Sequence, residues 1–128
     1  MRPASNLPTD GELEVLTILW KDGPLTVREL HEQLSRRKQV GYTSVLKLMQ
    51  IMHEKGYVAR DTSARSHIYR AVPARDRTQH ALVDDLMKRA FGGSAAALVQ
   101  RALSSKHASA KELEEIRRML EELPEKKK

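Results

Sequence analysis

The apolar residues of this chain recur at helical spacing, and one stretch that ends at Gly56 organises the rest. Four of its apolar residues stand at positions i, i+3, i+4 and i+7: Val45, Leu48, Met49 and Met52. That spacing is typical of a helix face that packs against a protein core. A glycine after the last apolar position is typical of a helix end. The pattern predicts one helix with a buried face and a polar face.

The polar face of this helix carries groups suited to nucleic acid. Thr43 or Ser44 is expected to cap the helix N-terminus. Lys47 and Gln50 follow on the same side, and amines, amides and hydroxyls can bond to phosphates and to base edges. An ordinary amphipathic surface helix would show the same pattern. The flanking segments therefore decide between the two interpretations.

Two shorter helices are predicted upstream. Residues 9–12 and 26–29 both have the S/T-x-x-E spacing of a capping box, and apolar residues follow each box at helical intervals. Leu25 is expected to be a short extended link between these helices. A basic turn that contains Arg37 and Lys38 leads directly into the central helix. Helix, turn and helix in this order predict a helix-turn-helix unit.

A β-hairpin is predicted downstream of the central helix. Two β-prone runs, residues 57–60 and 67–72, flank a small polar loop. A hairpin directly after a helix-turn-helix is interpreted as a wing. Arg65, near the tip of this wing, is expected to meet a phosphate or a minor groove. The alternative that the residues leave open is an unpaired surface arginine.

Three further helices are predicted after the wing, over residues 74–91, 94–103 and from 110 onward. One small domain cannot easily cover their apolar stripes, so we expect a second copy of the chain to cover them. The residues assigned to this dimer contact are Leu82, Leu86, Phe91, Leu98, Val99, Leu113, Ile116 and Leu120. The alternative is that these helices fold back on their own domain. The expected domains are residues 1–73, a winged-helix DNA-binding domain, and residues 74–128, a helical dimerisation region.

Composition limits the classes of protein to which the chain can belong. The 128 residues suffice for one domain, or for one small domain with an appendage. Only 4% of them are aromatic, so the core must be aliphatic. There is no run of about 18 apolar residues, so membrane insertion is not expected. The sequence shows no secretory signal and contains no cysteine. Disulfides and thiolate metal sites are thereby excluded, and a cytoplasmic location is expected.

The net charge of +6 is concentrated around the central helix. Residues 28–75 hold ten basic and four acidic residues. A basic patch of this kind is the electrostatic footprint of a protein that binds the phosphate backbone. A basic surface without a partner is the alternative.

The sequence contains none of the common catalytic or metal-binding motifs that would indicate an enzyme. No histidine pair has the spacing of metal ligands, and the sequence contains no nucleophile elbow, P-loop or dinucleotide-binding glycine motif. The adjacent carboxylates Asp84–Asp85 and Glu114–Glu115 are predicted to lie on helices, where neighbouring side chains point about 100° apart. We therefore expect no enzyme activity, no metal site and no cofactor.

Four stretches, in this order and spacing, resemble the penicillinase-repressor (BlaI/MecI) family, which has the copper-operon repressors as a branch. They are residues 19–29 (LWKDGPLTVRE), residues 42–56 (YTSVLKLMQIMHEKG), residues 65–69 (RSHIY) and residues 91–94 (FGGS). The resemblance extends from about Leu7 to Leu123. It implies a mainly α fold with a small β-hairpin wing, in which a winged helix-turn-helix domain is followed by a helical dimerisation region. It also implies a homodimer that represses transcription at palindromic operators.

The resemblance implies a signal as well. In the best-known members, a membrane-bound sensor-protease pathway triggered by β-lactams cleaves the repressor at an Asn-Phe bond. The matching positions here are Arg101-Ala102, so this cleavage is left open. The wing has Ala64-Arg65 where the family has Gly-Arg, and the cysteine ligands of the copper branch are absent.

The expected partners are double-stranded operator DNA, a second copy of the chain and the sensor-protease pathway. The residues expected to contact DNA are Arg37, Lys38, Tyr42, Thr43, Ser44, Lys47, Gln50, Arg60, Arg65 and His67. Lys47 and Gln50 are assigned to base reading, and the Thr43 and Ser44 hydroxyls to base reading or to phosphate. Arg37, Lys38, Arg60 and Arg65 are assigned to the phosphate backbone. A winged-helix adaptor that binds protein rather than DNA is the alternative function.

Overall fold

The computed structural model describes residues 7–104 and 108–124. Within these ranges the chain forms α-helices and short β-strands in the order α1 (Asp10–Asp22), β1 (Leu25–Thr26), α2 (Val27–Ser35), α3 (Tyr42–Lys55), β2 (Val58–Asp61), β3 (Ile68–Ala71), α4 (Arg75–Ala90), α5 (Ala95–Ser104) and α6 (Ala110–Glu122). The predicted fold class is confirmed: the chain is mainly α, with a helix-turn-helix, a β-hairpin wing and further helices after it.

The two N-terminal helices begin at capping boxes. The Thr9 hydroxyl accepts a hydrogen bond from the Glu12 backbone N–H at 3.2 Å, and the Thr9 N–H donates to the Glu12 carboxylate at 2.9 Å. Thr26 and Glu29 repeat the same two bonds at the same distances at the start of α2. Both predicted boxes are confirmed. Each one satisfies backbone donors that the first helical turn would otherwise leave unpaired.

The small sheet has three strands in the order β1-β3-β2, all antiparallel. The predicted hairpin of β2 and β3 is confirmed. The segment expected to be only an extended link is a strand, because Leu25 pairs with Tyr69 and Thr26 pairs with Ile68. The wing is thus joined by β-pairing to the residues that cap α2.

The core lies between α1, α2, α3 and the sheet. Its buried apolar residues are Val15, Leu16, Ile18, Leu19, Val27, Leu30, Leu34, Val45, Met49, Met52, Val58 and Tyr69. Leu48, predicted for the same stripe, is half-buried. At about 100° per residue, Leu48 lies roughly 60° from Val45 around the helix, at the edge of the buried face.

One buried carboxylate forms an ion pair between two helices of this core. The Glu12 side chain is only 2% exposed, and its Oε2 lies 2.7 Å from Lys55 Nζ. Burial raises the pKa of the Glu12 carboxyl, but hydrogen bonds from Lys55 and Thr9 outweigh it and hold that pKa below its ordinary value of 4.5. The start of α1 is thereby fixed to the end of α3.

The chain divides into two compact units, the first ending at Leu82 and the second beginning at Val83. Every buried residue of the described chain belongs to the first unit. The adjacent carboxylates in α4 form separate ion pairs one turn onward, Asp84 with Lys88 and Asp85 with Arg89, so they form a solvated surface. The division at residues 73 and 74 stays a prediction.

Candidate nucleic-acid interface

The facing of α3 is set by its buried residues. Val45, Met49 and Met52 are at most 1% exposed, and they form one stripe that packs into the core. The side chains on the other side are all exposed: Tyr42, Thr43, Ser44, Lys47 and Gln50. Rotating the helix would bury the charged side chain of Lys47 and expose the methionines. Each of these two changes would cost free energy. The polar face predicted from the sequence is therefore the solvent face.

The first turn of α3 differs from the prediction. The N-cap is Gly41, in an extended conformation with φ −82° and ψ 154°, and no side chain of the described residues caps this helix. The predicted cap at Thr43 or Ser44 is wrong, because the helix already begins at Tyr42 and both hydroxyls lie inside its first turn. The backbone N–H groups at this end keep their capacity to bind an anion.

The turn before α3 carries exposed cations. Arg37 is exposed, and no ion-pair partner for it occurs among residues 7–104 and 108–124. Lys38 differs, since its Nζ lies 2.7 Å from Glu14 Oε1. Both side chains stand beside the start of α3, but only Arg37 offers its full charge to a phosphate.

His31 fixes the end of this turn. Its Nε2 lies 2.9 Å from the Val40 carbonyl oxygen, and its ring contacts the Tyr42 ring edge-on, with the ring centroids 5.7 Å apart. A hydrogen bond and a ring contact therefore connect α2 with the first residue of α3. No sequence pattern indicates this role, because the whole turn separates His31 from Val40 and Tyr42.

The wing loop, residues 62–67, is exposed. At its start the Asp61 carboxylate accepts a hydrogen bond from the Ser63 N–H at 2.9 Å, and this bond lowers the pKa of Asp61. An aspartate that binds the backbone two residues on is a common way to begin a tight loop. The Asp61 hydrogen bond begins the loop that carries Arg65 and His67.

Side chains of α3, the wing and α2 line one open cleft of about 280 Å³. The structure thus brings together three of the predicted residues, Tyr42, Arg65 and His67. Arg28, in the first turn of α2, lines the same cleft and is absent from the predicted set. No local signal in the sequence indicated this role, because only the fold brings Arg28 beside the wing. Arg28 and Arg65 give the cleft two cationic groups.

The other predicted DNA contacts lie outside this cleft. Lys47 and Gln50 lie further along the exposed face of α3, and Arg60 lies on β2, opposite Tyr69 in the strand register. The predicted residues therefore form a surface that extends from the turn, along α3 and onto the wing. None of them carries a buried unpaired polar atom.

The residues assigned to dimerisation are not buried within the described chain. Leu86 is 40% exposed, Val99 43%, Leu113 42% and Leu120 63%, whereas Leu82, Phe91, Leu98 and Ile116 are intermediate. In α6 the apolar side chains share one face, and ion pairs from Arg117 to Glu114 and Glu121 lie on the same helix. α4, α5 and α6 thus each carry exposed large apolar side chains.

Among residues 7–104 and 108–124, no group of three or more histidine and acidic side chains could hold a metal ion. Within the same ranges, no helix combines the length and the apolar character needed to cross a membrane.

Comparison with known proteins gives a consistent result. A family model described as Penicillinase repressor matches residues 8–122. A protein named Transcriptional regulator BlaI, from Mycobacterium tuberculosis strain ATCC 25618 / H37Rv, is 36% identical over 118 residues, which cover 88% of this chain and 83% of that protein. The protein of the same name from strain CDC 1551 / Oshkosh matches equally. A protein named Penicillinase repressor, from Bacillus licheniformis, is 24% identical over 122 residues, 94% of each chain.

Proposed function

The chain belongs to the penicillinase repressor family, and on that premise we propose that it represses transcription as a homodimer bound to a palindromic DNA operator. Family and relatives carry the names of transcriptional repressors and regulators, not of enzymes. The observation that supports DNA binding most strongly is the facing of α3. Its buried stripe turns Thr43, Ser44, Lys47 and Gln50 outward.

In this proposal α3 lies in the major groove, where each base pair presents its own pattern of donors and acceptors. Gln50 is suited to adenine and Lys47 to guanine, since an amide can both donate and accept and an ammonium can only donate. The hydroxyls of Thr43 and Ser44 stand at the helix N-terminus, where phosphate is favoured. Sequence discrimination is therefore assigned to the middle of the exposed face.

The flanking cations contact the phosphate backbone. Arg65 lines the cleft beside α3, and Arg28 adds a second guanidinium there. Arg37 contributes from the turn. Lys38 must exchange its ion pair with Glu14 for a phosphate, so its net contribution is smaller than that of Arg37. Such contacts set the orientation and the salt dependence of binding rather than its sequence preference.

The second copy covers the apolar residues of α4, α5 and α6. A two-fold contact places the same patch of each chain against its equivalent, so the self-complementary apolar face of α6 fits it. A two-fold protein reads a two-fold DNA site, and a palindromic operator follows from this symmetry. Residues 1–73 then act as the DNA-binding domain and residues 74–128 as the dimerisation region.

Release from DNA is assigned to a signal that disrupts the dimer. The resemblance to the family implies a membrane sensor-protease pathway, and Arg101 and Ala102 are exposed on α5 at the positions that match the cleaved bond. A protease that acts here would have to accept arginine where the best-known members have asparagine. Limited digestion by a candidate protease, followed by mass spectrometry, tests this step separately.

Two solution measurements on the intact chain test the repressor proposal. Light scattering should give twice the chain mass of 14.6 kDa. Fluorescence anisotropy with a random duplex at low salt should show binding, which an adaptor of proteins would lack. Arg65→Ala should weaken this binding and flatten the salt dependence by about one unit per lost phosphate contact.

Lys21→Ala is the matched control, since it removes one exposed charge from α1, outside the proposed interface. It should bind the duplex nearly as the parent chain does. A monomeric chain would contradict the dimer, and equal binding by Arg65→Ala and the parent would contradict the role of the wing.

A further inference from the structure

The first unit contains a cavity that the DNA interface does not use. It has a volume of about 160 Å³ and opens to solvent beside the start of α4. Leu16, Tyr57 and Pro73 line it, together with Arg77, Thr78 and Ala81 from α4. We propose that this cavity binds a small organic acid with one apolar ring and one carboxylate, of the benzoate class.

The size and lining of the cavity select a single ring. Leu16 is fully buried, and Tyr57, Pro73 and Ala81 add apolar surface around it. An apolar cavity of roughly 150 Å³ in another protein holds benzene, so a cavity of this size accommodates one ring. Nucleotides and sugar phosphates are too large and too polar to enter it.

The charge at the cavity selects an anion. Arg77 is exposed, and it has no ion-pair partner among residues 7–104 and 108–124. It stands in the first turn of α4, where the helix dipole also favours negative charge. The acidic neighbour Asp76 is 86% exposed and lies 3.3 Å from Arg75, away from the cavity lining. A carboxylate on the ring would meet the Arg77 guanidinium, whose planar geometry suits it.

No negative charge of the lining opposes such a ligand at neutral pH. Burial raises the pKa of the Tyr57 phenol, and the nearby Glu12 carboxylate raises it further, so the phenol stays uncharged. Arg77 is the charged residue of the cavity lining, and the Glu12 carboxylate behind Tyr57 is neutralised by its ion pair with Lys55.

The cavity wall is hydrogen-bonded to the DNA-binding helix. The Tyr57 N–H donates to the Met52 carbonyl in the last turn of α3, and the Val72 N–H donates to the Tyr57 carbonyl, both at 2.9 Å. The Trp20 indole N–H donates to the Pro73 carbonyl, also at 2.9 Å. Trp20 is the only tryptophan, so its fluorescence is a built-in reporter of the cavity wall.

The test is a titration of the intact chain with sodium benzoate at constant ionic strength, followed by Trp20 fluorescence. The expected result is a saturable change with a Kd on the order of 1 mM, as suits a ligand of few atoms. Sodium acetate, which lacks the ring, and benzyl alcohol, which lacks the charge, should each bind at least about tenfold more weakly. An equal response to acetate, or no saturable response to benzoate, would overturn the proposal.

Three variants locate the site. Ala81→Leu fills the cavity from an exposed helix position and should abolish the saturable change, and Arg77→Gln should raise the Kd at least about tenfold. Arg75→Gln is the matched control two residues away and should stay within about twofold of the parent. Circular dichroism checks that each variant is folded. If Ala81→Leu is unfolded, Arg77→Gln decides the question, and parent-like binding by it overturns the proposal. DNA takes no part in this test, so its outcome is independent of repressor activity.

Discussion

The buried carboxylate of Glu12 allows a sharp test of how α3 is held in place. Glu12 and Glu29 occupy the same position in two capping boxes whose hydrogen bonds have the same lengths. They differ in surroundings, since Glu29 is exposed, whereas Glu12 is 2% exposed and bonded to Lys55. Glu29→Ala therefore removes a cap alone, and Glu12→Ala removes a cap together with a tertiary contact.

The difference between the two variants measures that contact together with the burial of the Glu12 methylene groups. Loss of one side of a capping box costs about 0.3–1.5 kcal/mol, and this loss is common to both. A hydrogen bond to a charged group contributes about 1.5–3 kcal/mol, and the exposure of Lys55 places this one near the lower end. We therefore expect Glu12→Ala to lower the free energy of unfolding by about 1.5–2 kcal/mol more than Glu29→Ala does.

The same contact gives a defined pH dependence. The pKa of Glu12 in the folded chain lies below its ordinary value of 4.5, so the folded state favours the ionised carboxylate. The stabilisation is fully present above pH 4.5 and is lost as the pH falls through the folded-state pKa. The gap between the parent and Glu12→Ala should therefore be constant near neutral pH and should narrow in acid.

Urea unfolding of both variants, followed by far-UV circular dichroism at one fixed protein concentration, measures these free energies. Repeating the parent and Glu12→Ala in acid tests the pH dependence. Equal destabilisation by Glu12→Ala and Glu29→Ala would show that the ion pair adds no stability. A gap that widens in acid would show that the carboxylate is stabilised in its protonated form.

Four further variants test the core, the interface and the dimer. Met49→Ala should lower the free energy of unfolding by about 2–5 kcal/mol, because it leaves a cavity in the core. Lys47→Ala should leave the thermal melting curve nearly unchanged, and a large loss would mean that α3 faces the other way. Gln50→Ala should narrow the gap between operator and random duplex by about 1–3 kcal/mol in anisotropy titrations, whereas equal weakening on both DNAs would exclude base reading. Leu120→Glu should give a monomer in sedimentation, with Lys111→Glu as the control that stays dimeric; a dimeric Leu120→Glu would place the contact elsewhere.

The sequence predicts this fold where the determinants are local. A capping box, a glycine after a helix and a β-prone run each affect only the few residues around them. The structure has a helix end or a strand at each of these positions. Gly56, for example, ends α3 with φ 85°, a conformation that side chains disfavour. Helical spacing also gave the correct buried face of α3, since that face depends only on the order of residues along one helix.

Contacts between distant residues could not be predicted in the same way. Leu25 becomes a strand because Tyr69 pairs with it, and Glu12 meets Lys55 because α3 ends beside it. The two residues of β1 do not specify the strand with which they pair. The capping box that contains Glu12 does not specify that Lys55 will bond to this carboxylate. Arg28 was not among the predicted interface residues for the same reason, because only the fold brings the start of α2 beside the wing. The cap of α3 shows a smaller limit. Gly41 and Thr43 are both acceptable cap residues, and the observed cap, Gly41, lies two residues before Thr43.

Selection of duplexes from a random DNA library by the intact chain, followed by sequencing, tests the central claim most directly. A dimer that presents two copies of α3 should enrich an inverted repeat whose half-sites lie about 10 base pairs apart, or a multiple of that spacing. Enrichment of a single unrepeated motif would contradict the dimeric reading of DNA. Failure to enrich any sequence from the library would contradict sequence-specific repression itself.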